Sequence, residues 1–207
     1  MPKNTFKNLP LKKKEAVLNA AIKVIIEKGY DKTTISDIVN EAAIARGSFY
    51  QYFNDKLDLY YYLLDSVQAK KFTYFKPLMT KLDQVSFLDL YEEFVIAGVK
   101  FAKKHHNYFM LGYRLHFASD KTIQKLMQKI ETEGIKTYES FLINDQNKGF
   151  IKPTVDIQLV AKILYHFNVV ELSKHIYNHE SLSRIRMLAN DTITILKYGV
   201  MVGEEKK

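Results

Sequence analysis

Apolar residues recur at the 3.6-residue period of an amphipathic helix along almost the whole chain. Little interrupts them, for the 207 residues include only eight glycines and four prolines. β-Branched residues rarely alternate with polar ones over strand-length runs, so the spacing predicts an all-α protein. A first long helix is expected from Leu11 to Lys28, burying Val17, Ala20, Val24 and Ile25, with Gly29 as the left-handed residue that ends it. Thr34-Ile35-Ser36-Asp37 has the form of a capping box, with Asp where Glu or Gln is usual. It opens a second helix, Ile35 to about Ala42, expected to bury Ile35, Ile38 and Ala42. A break at Ala43 to Ala45 leads to a very short third helix, Arg46 to about Tyr52. Asn54 is the expected cap of a long fourth helix beginning at Asp55. Further helices are expected near Phe87–Lys104, Tyr108–Phe117, Thr122–Asn147, Asp156–Ile176 and Ser181–Val202, with Gly149 and Pro153 punctuating the loop before the penultimate one.

Charge and composition narrow the function. The net charge of +8 favours polyanionic partners, because each phosphate neutralised by Lys or Arg releases condensed counterions. Lys3, Lys7, Lys12, Lys13 and Lys14 form a basic arm with no acid before Glu15. With no cysteine, the chain has neither disulfides nor thiolate metal sites. Met1 to Pro10 has no apolar signal-peptide core, and no apolar run approaches the roughly 20 residues that span a bilayer, so a cytoplasmic protein without membrane partners is expected. The chain contains no HExxH pair, no phosphate-cradling glycine loop and no nucleophile elbow. An enzyme is therefore not expected, nor a cofactor or a metal.

Two short helices joined by a three-residue break, behind a longer supporting helix, have the proportions of a helix-turn-helix. On the wheel of the third helix, Phe53 lies about 40° from Phe49, so both can anchor inward. Gly47 and Gln51 then face outward, flanked by Ser48 and Tyr50. An outward glycine costs a short helix roughly 1 kcal/mol against alanine, a poor choice unless something must approach closely. Glutamine beside it can make a bidentate contact with adenine. Tyr50, Arg46 and Ser48 can reach flanking phosphates. Periodicity alone fits equally well a short surface helix in a bundle, its aromatics packing and its glycine incidental.

The stretch Gly29-Tyr30-Asp31-Lys32-Thr33-Thr34, then Ile38-Val39, then Ala42 through Phe53 (AAIARGSFYQYF), then Lys56-Leu57, resembles the DNA-binding domain of the TetR family of bacterial repressors. The resemblance covers about the first quarter of the chain. It departs at Ala43, where glycine is usual, and at Ala45, where a Ser or Thr cap is common. It implies Thr34, Ser48, Tyr50, Tyr52 and Lys56 at phosphates, with Arg46 and Gln51 nearest the bases. The helical wheel places Tyr52 instead near the anchoring face. The expected organisation is a helix-turn-helix domain over residues 1–56 and a helical bundle for ligand sensing and dimerisation over 57–207.

The remainder carries no motif as sharp. Ile157 to Leu172 is apolar almost all round and must bury more than one face. With Leu182, Ile185, Leu188, Ala189, Ile193, Leu196 and Val200 on the last helix, it suits a homodimer, and the resemblance implies a four-helix dimer interface. The middle section is rich in aromatics and methionine, giving a mixed polar and apolar lining. The resemblance implies a small-molecule effector site there, for which Phe94, Met110, Tyr113, His116, Phe117, Tyr165 and His166 are candidates, although core packing explains each as well. Glu171, His175 and His179 follow at spacings of four, a possible metal set, but the turn before the last helix takes His179 off the line. The expectation is a repressor released from an inverted-repeat operator on double-stranded DNA by a small apolar or amphipathic ligand. The alternative, an effector-free architectural DNA-binding protein, does not need so long an aromatic C-terminal part.

Overall fold

The computed structural model describes the backbone of residues 2–200 and the side chains of 2–198. Among the described residues every extended element is a helix: α1 Asn4–Lys7, α2 Leu11–Lys28, α3 Ile35–Glu41, α4 Arg46–Tyr52, α5 Lys56–Met79, α6 Phe87–Lys104, α7 His106–His116, α8 Lys121–Asn147, α9 Ile157–His166, α10 Ser173–Tyr177 and α11 Leu182–Val200, with a π-helical turn at Phe167–Leu172 between α9 and α10. The end expected for the last helix at Val202 lies outside the described residues. No helix is long and apolar enough to cross a membrane.

The chain forms two compact units. Met1–Phe72 and His105–Met127 make the first, Thr73–Lys104 and Gln128–Lys207 the second. Each unit takes two separate stretches of the chain, and α7 is part of the first. There α2 packs on both α3 and α7, and α4 packs on α1 and α3. Val17, Ala20, Val24 and Ile25 of α2 are buried together with Ile38, Val39, Phe49 and Phe53, while Leu111 and Leu115 line α7. α2 ends where Gly29 takes a φ of 76° and returns its N–H to the Ile25 carbonyl at 2.8 Å. On α3 the buried pair is Ile38 and Val39, whereas Ile35 and Ala42 are only half-buried. The chain turns left-handed at Ala43, directly after Ala42 closes α3.

The cap of α5 also differs from expectation. Asp55 Oδ1 accepts the Asp58 N–H at 2.7 Å. Asn54 instead donates, through its backbone N–H and its Nδ2, to Asp58 Oδ2 at 3.1 and 3.2 Å. The cap is thus Asp55, one residue later, with Asp58 reaching back as in a reciprocal box.

In the second unit α6 and α11 pack together around Phe87, Leu88, Tyr91, Val95 and Val99 on one side and Ile185, Ala189, Ile193 and Leu196 on the other. Leu142 of α8 and Val160, Ala161 and Leu164 of α9 complete this core. The helix expected to run unbroken from Asp156 to Ile176 is interrupted by the π turn. Asn168 Nδ2 donates to the Leu164 carbonyl at 3.0 Å, taking the acceptor that a regular turn would offer to the Asn168 N–H. Nor is this segment buried all round: Leu159 is 54% exposed and Ile163 is exposed as well.

A candidate nucleic-acid interface

The first unit assembles the interface from two short helices and the turn between them. Thr34 Oγ1 accepts the Asp37 N–H at 3.1 Å while Asp37 Oδ2 accepts the Thr34 N–H at 2.9 Å, so the capping box forms with Asp in the third position. Lys28 Nζ lies 2.6 Å from Asp37 Oδ1. That ion pair, and the donors of Thr34, hold the Asp37 carboxyl down to a pKa of about 2.

The turn after α3 is a Schellman motif. The Ile44 N–H returns to the Val39 carbonyl at 3.0 Å and the Ala43 N–H to the Asn40 carbonyl at 3.2 Å. Its left-handed position is Ala43, with φ 51°. Alanine therefore keeps the conformation for which glycine is the usual residue, at a steric cost of roughly 1–2 kcal/mol. Ala45 then opens α4 without a side-chain cap, as its lack of a hydroxyl requires.

α4 faces two ways. Phe49 and Phe53 are fully buried, their ring centroids 5.8 Å apart. Gly47, Gln51, Tyr50 and Arg46 are exposed, and Ser48 is half-buried beside them. A Cβ at Gly47 would meet nothing within 4 Å, so nothing in the protein itself calls for glycine there. The open space is on the side where a partner would sit. Arg46 Nη1 donates to Ser36 Oγ at 2.6 Å, which holds the guanidinium across the start of α3.

Two expected contacts are placed differently. Tyr52 is only 5% exposed and its ring packs 5.7 Å from Phe6, in the core as the wheel indicated. Lys56 Nζ donates to the carbonyls of Tyr30 and Thr33 at 3.0 and 2.8 Å and lies 4.0 Å over the Tyr30 ring. Burial pulls its pKa down, against the pull of Asp120 and Asp31. Its position in the first turn of α5 is thus explained inside the protein, by ties that fix the turn before Thr34.

The candidate ligand residues divide between the units. In the first, Met110 is buried, Tyr113 stands 5.1 Å from Phe117, and His116 and Phe117 are exposed. In the second, Phe94 stacks on Phe75 at 5.9 Å, and His166 is exposed beside Glu131 at 3.4 Å. Tyr165 lies 6.4 Å from Tyr138, and burial raises its pKa to about 12. The polar members of this second group escaped sequence reading. Asn168 Nδ2 donates to the Tyr138 hydroxyl at 2.9 Å, within the π turn, and a Cβ at Gly134 would run into the Tyr165 ring, so that ring would have to move for any larger residue. The Glu171, His175 and His179 line does not form: Glu171 pairs with Lys174, His175 with Glu180, and His179 sits in the turn with φ 56°.

An inward aromatic anchor, an outward polar face and a tight turn behind a capped helix define a helix-turn-helix DNA-binding module. Residues 17–63 match the family model described as bacterial regulatory proteins, tetR family. The uncharacterized HTH-type transcriptional regulator YvdT of Bacillus subtilis is 54% identical over 56 residues, 27% of this chain and 26% of that protein. The structure of a TetR-family transcriptional regulator from Chloroflexus aurantiacus J-10-FL superposes with a TM-score of 0.73 at 22% identity, over 98% of this chain and 100% of the other. FadR of Bacillus subtilis, in complex with stearoyl-CoA, gives 0.68 at 18% identity, over 87% and 96%. At these identities the structural likeness is one of fold. Residues 17–63 thus match the tetR-family DNA-binding module, and the chain as a whole is similar in fold to TetR-family transcriptional regulators.

Proposed function

We propose that this regulator is a homodimeric repressor that holds an inverted-repeat operator through α4 and leaves it when a small apolar or amphipathic molecule binds. The observation that carries the reading is the outward face of α4, where Gly47 leaves open space beside Gln51 above the Phe49–Phe53 anchor. Gln51 and Arg46 face the bases in this reading, with Thr34, Ser48 and Tyr50 at phosphates. The division of labour is the one expected from the sequence, with DNA binding in residues 1–56 and sensing and dimerisation in 57–207.

Dimerisation is supported by apolar surface that the single chain leaves uncovered. Leu159 and Ile163 lie one turn apart on α9, and on α11 Met187, Ile195 (73% exposed) and Tyr198 (87% exposed) fall on one face opposite the buried Ile185, Ala189 and Ile193. Exposed apolar stripes of this kind mark association surfaces. One reading head spans too few base pairs for high specificity, so two must be joined by symmetry.

The ligand reading rests on the aromatic group of the second unit, Phe94, Tyr138 and Tyr165 with Asn168, and on the stearoyl-CoA bound by the FadR neighbour. α5 has residues in both units, so a shift of this helix would carry a change from the sensing part to the reading part. Two measurements test the proposal. Sedimentation at micromolar concentration should show a dimer, and a monomer that still binds tightly as one copy would overturn it. A fatty acyl thioester titrated against free protein and against the protein–DNA complex should bind the two unequally, by the factor it takes from DNA affinity. Equal affinities for this ligand and for a panel of apolar aromatics would overturn the release mechanism.

A further inference from the structure

The bond from the Phe53 N–H to the Phe49 carbonyl, 2.9 Å, is the last that α4 makes for itself. The carbonyls of Tyr50, Gln51 and Tyr52 are then without a helical donor, as at every helix C-terminus. All three are taken by residues from the start of the chain. Lys3 Nζ donates to the Tyr50 carbonyl at 2.8 Å, Thr5 Oγ1 donates to the Gln51 carbonyl, and the Lys3 N–H donates to the Tyr52 carbonyl at 2.9 Å. The segment is held there by Phe6, fully buried, with its ring 4.7 Å from Phe53 and 5.5 Å from Tyr62. The Lys3 ammonium also sits where the dipole of α4 favours a cation.

We propose that residues 3–7 are part of the DNA-reading element: they clamp the C-terminal end of α4 and fix Tyr50 and Gln51, which makes Lys3, Thr5 and Phe6 positioning residues for sequence readout. The inference rests on the reading of α4 as the recognition helix, and it adds a segment that lies before the stretch shared with the family model. The physical reason is the length of α4. Seven residues are too few to be stable alone, and the last turn of a helix frays first. Gln51 stands in that last turn. A bidentate base contact needs a fixed backbone beneath it, whereas attraction to phosphates tolerates movement. Loosening the clamp should therefore cost selectivity more than overall affinity for DNA.

The test uses the full chain with the double substitution Lys3→Met and Thr5→Val, beside the single Thr5→Ser, which keeps the hydroxyl. Hydrogen exchange needs no DNA. The amides of Phe49 to Phe53 should exchange about tenfold faster in the double variant, with those of Val17 to Ile25 in α2 unchanged and Thr5→Ser at the wild-type rate. Affinity is then measured for a duplex selected by the wild-type chain from a random pool and for a scrambled duplex of the same composition. The ratio of the two should fall about tenfold, with the scrambled duplex bound within about twofold of wild type. Equal losses on both duplexes would make the arm a plain phosphate contact and overturn the proposal, as would unchanged exchange in α4. Should the wild-type chain itself prefer no duplex, the recognition reading fails, and the exchange rates still decide whether the clamp exists.

Discussion

The carboxylate of Asp31 holds Ser119 from two sides: Oδ2 accepts the Ser119 N–H at 2.9 Å and its hydroxyl at 2.8 Å, while Oδ1 accepts the Asp120 N–H at 2.9 Å. These bonds hold the Asp31 carboxyl below the usual carboxylate range. They tie the turn after α2 to the corner between α7 and α8, within the first unit. Lys56, on the carbonyls of Tyr30 and Thr33, fixes the other side of the same turn. The turn ends at Thr34, the cap of α3, so its pose sets that of the helix pair we propose to meet DNA.

Asp31→Ala is expected to cost about 1 kcal/mol, a small value because the group is exposed and screened. Calorimetry should show a fall of a few degrees in melting temperature. Asp31→Asn, which keeps an acceptor for Ser119, should lose less. A variant as stable as wild type would show that the latch does not hold the turn.

Gly47→Ala should act in opposite directions on fold and function. A Cβ meets open space in the free protein, and alanine is the better helix former, so the variant should gain about 1 kcal/mol of stability. The same methyl group should weaken binding to a selected DNA duplex. Denaturant unfolding and a binding titration read the two effects separately. Unchanged DNA affinity would place Gly47 away from the interface.

Ala43→Gly tests the strain in the turn. With φ at 51°, alanine carries a conformational cost that glycine does not, partly offset by the greater freedom of glycine in the unfolded chain. A net stabilisation of roughly 0.5–1 kcal/mol is expected from denaturant unfolding. A loss of stability would mean that the turn is not left-handed at this residue.

Asp37 gives the acid limit of the reading head. Its folded pKa, about 2, lies below the 3.8 of a free aspartate, so the cap it forms contributes stability that is complete above about 4 and is lost as pH falls through about 2. Asp37→Asn should remove that part of the pH dependence. NMR titration of the Asp37 carboxyl would check the value directly, and a midpoint near 3.8 would contradict the ion pair with Lys28.

What the sequence disclosed was local. The limits of α2, α4 and α6 follow from Gly29, from the 3.6-residue period and from the break at Ala43, because each depends on neighbours within a turn. The wheel places Tyr52 near the anchoring face, against the phosphate role that the resemblance implies, because Phe49 and Phe53 fix the inward direction of α4. The contacts that escaped join residues far apart in the chain. Lys3 to Tyr50, Lys56 to Tyr30 and Asp31 to Ser119 have no periodic signal, and one aromatic, Phe6, in a lysine-rich arm was the only hint of the first. The π turn was hidden because an asparagine within an apolar run gives no sign that its side chain will take a backbone carbonyl. The candidate ligand residues were chosen by residue type from a region where type is also what builds a core, and they fall in two separate units.

Selection of bound duplexes from a random pool, by the wild-type chain and by Gln51→Ala, decides whether α4 reads DNA. The wild-type chain should enrich an inverted repeat whose half-sites lie about 34–36 Å apart, one turn of the double helix or a multiple of it. Gln51→Ala should relax one symmetric position in that repeat and cost about 1–3 kcal/mol per half-site. An enriched site without symmetry, or a Gln51→Ala consensus identical to that of the wild type, would contradict the assignment of α4 as the element that reads DNA.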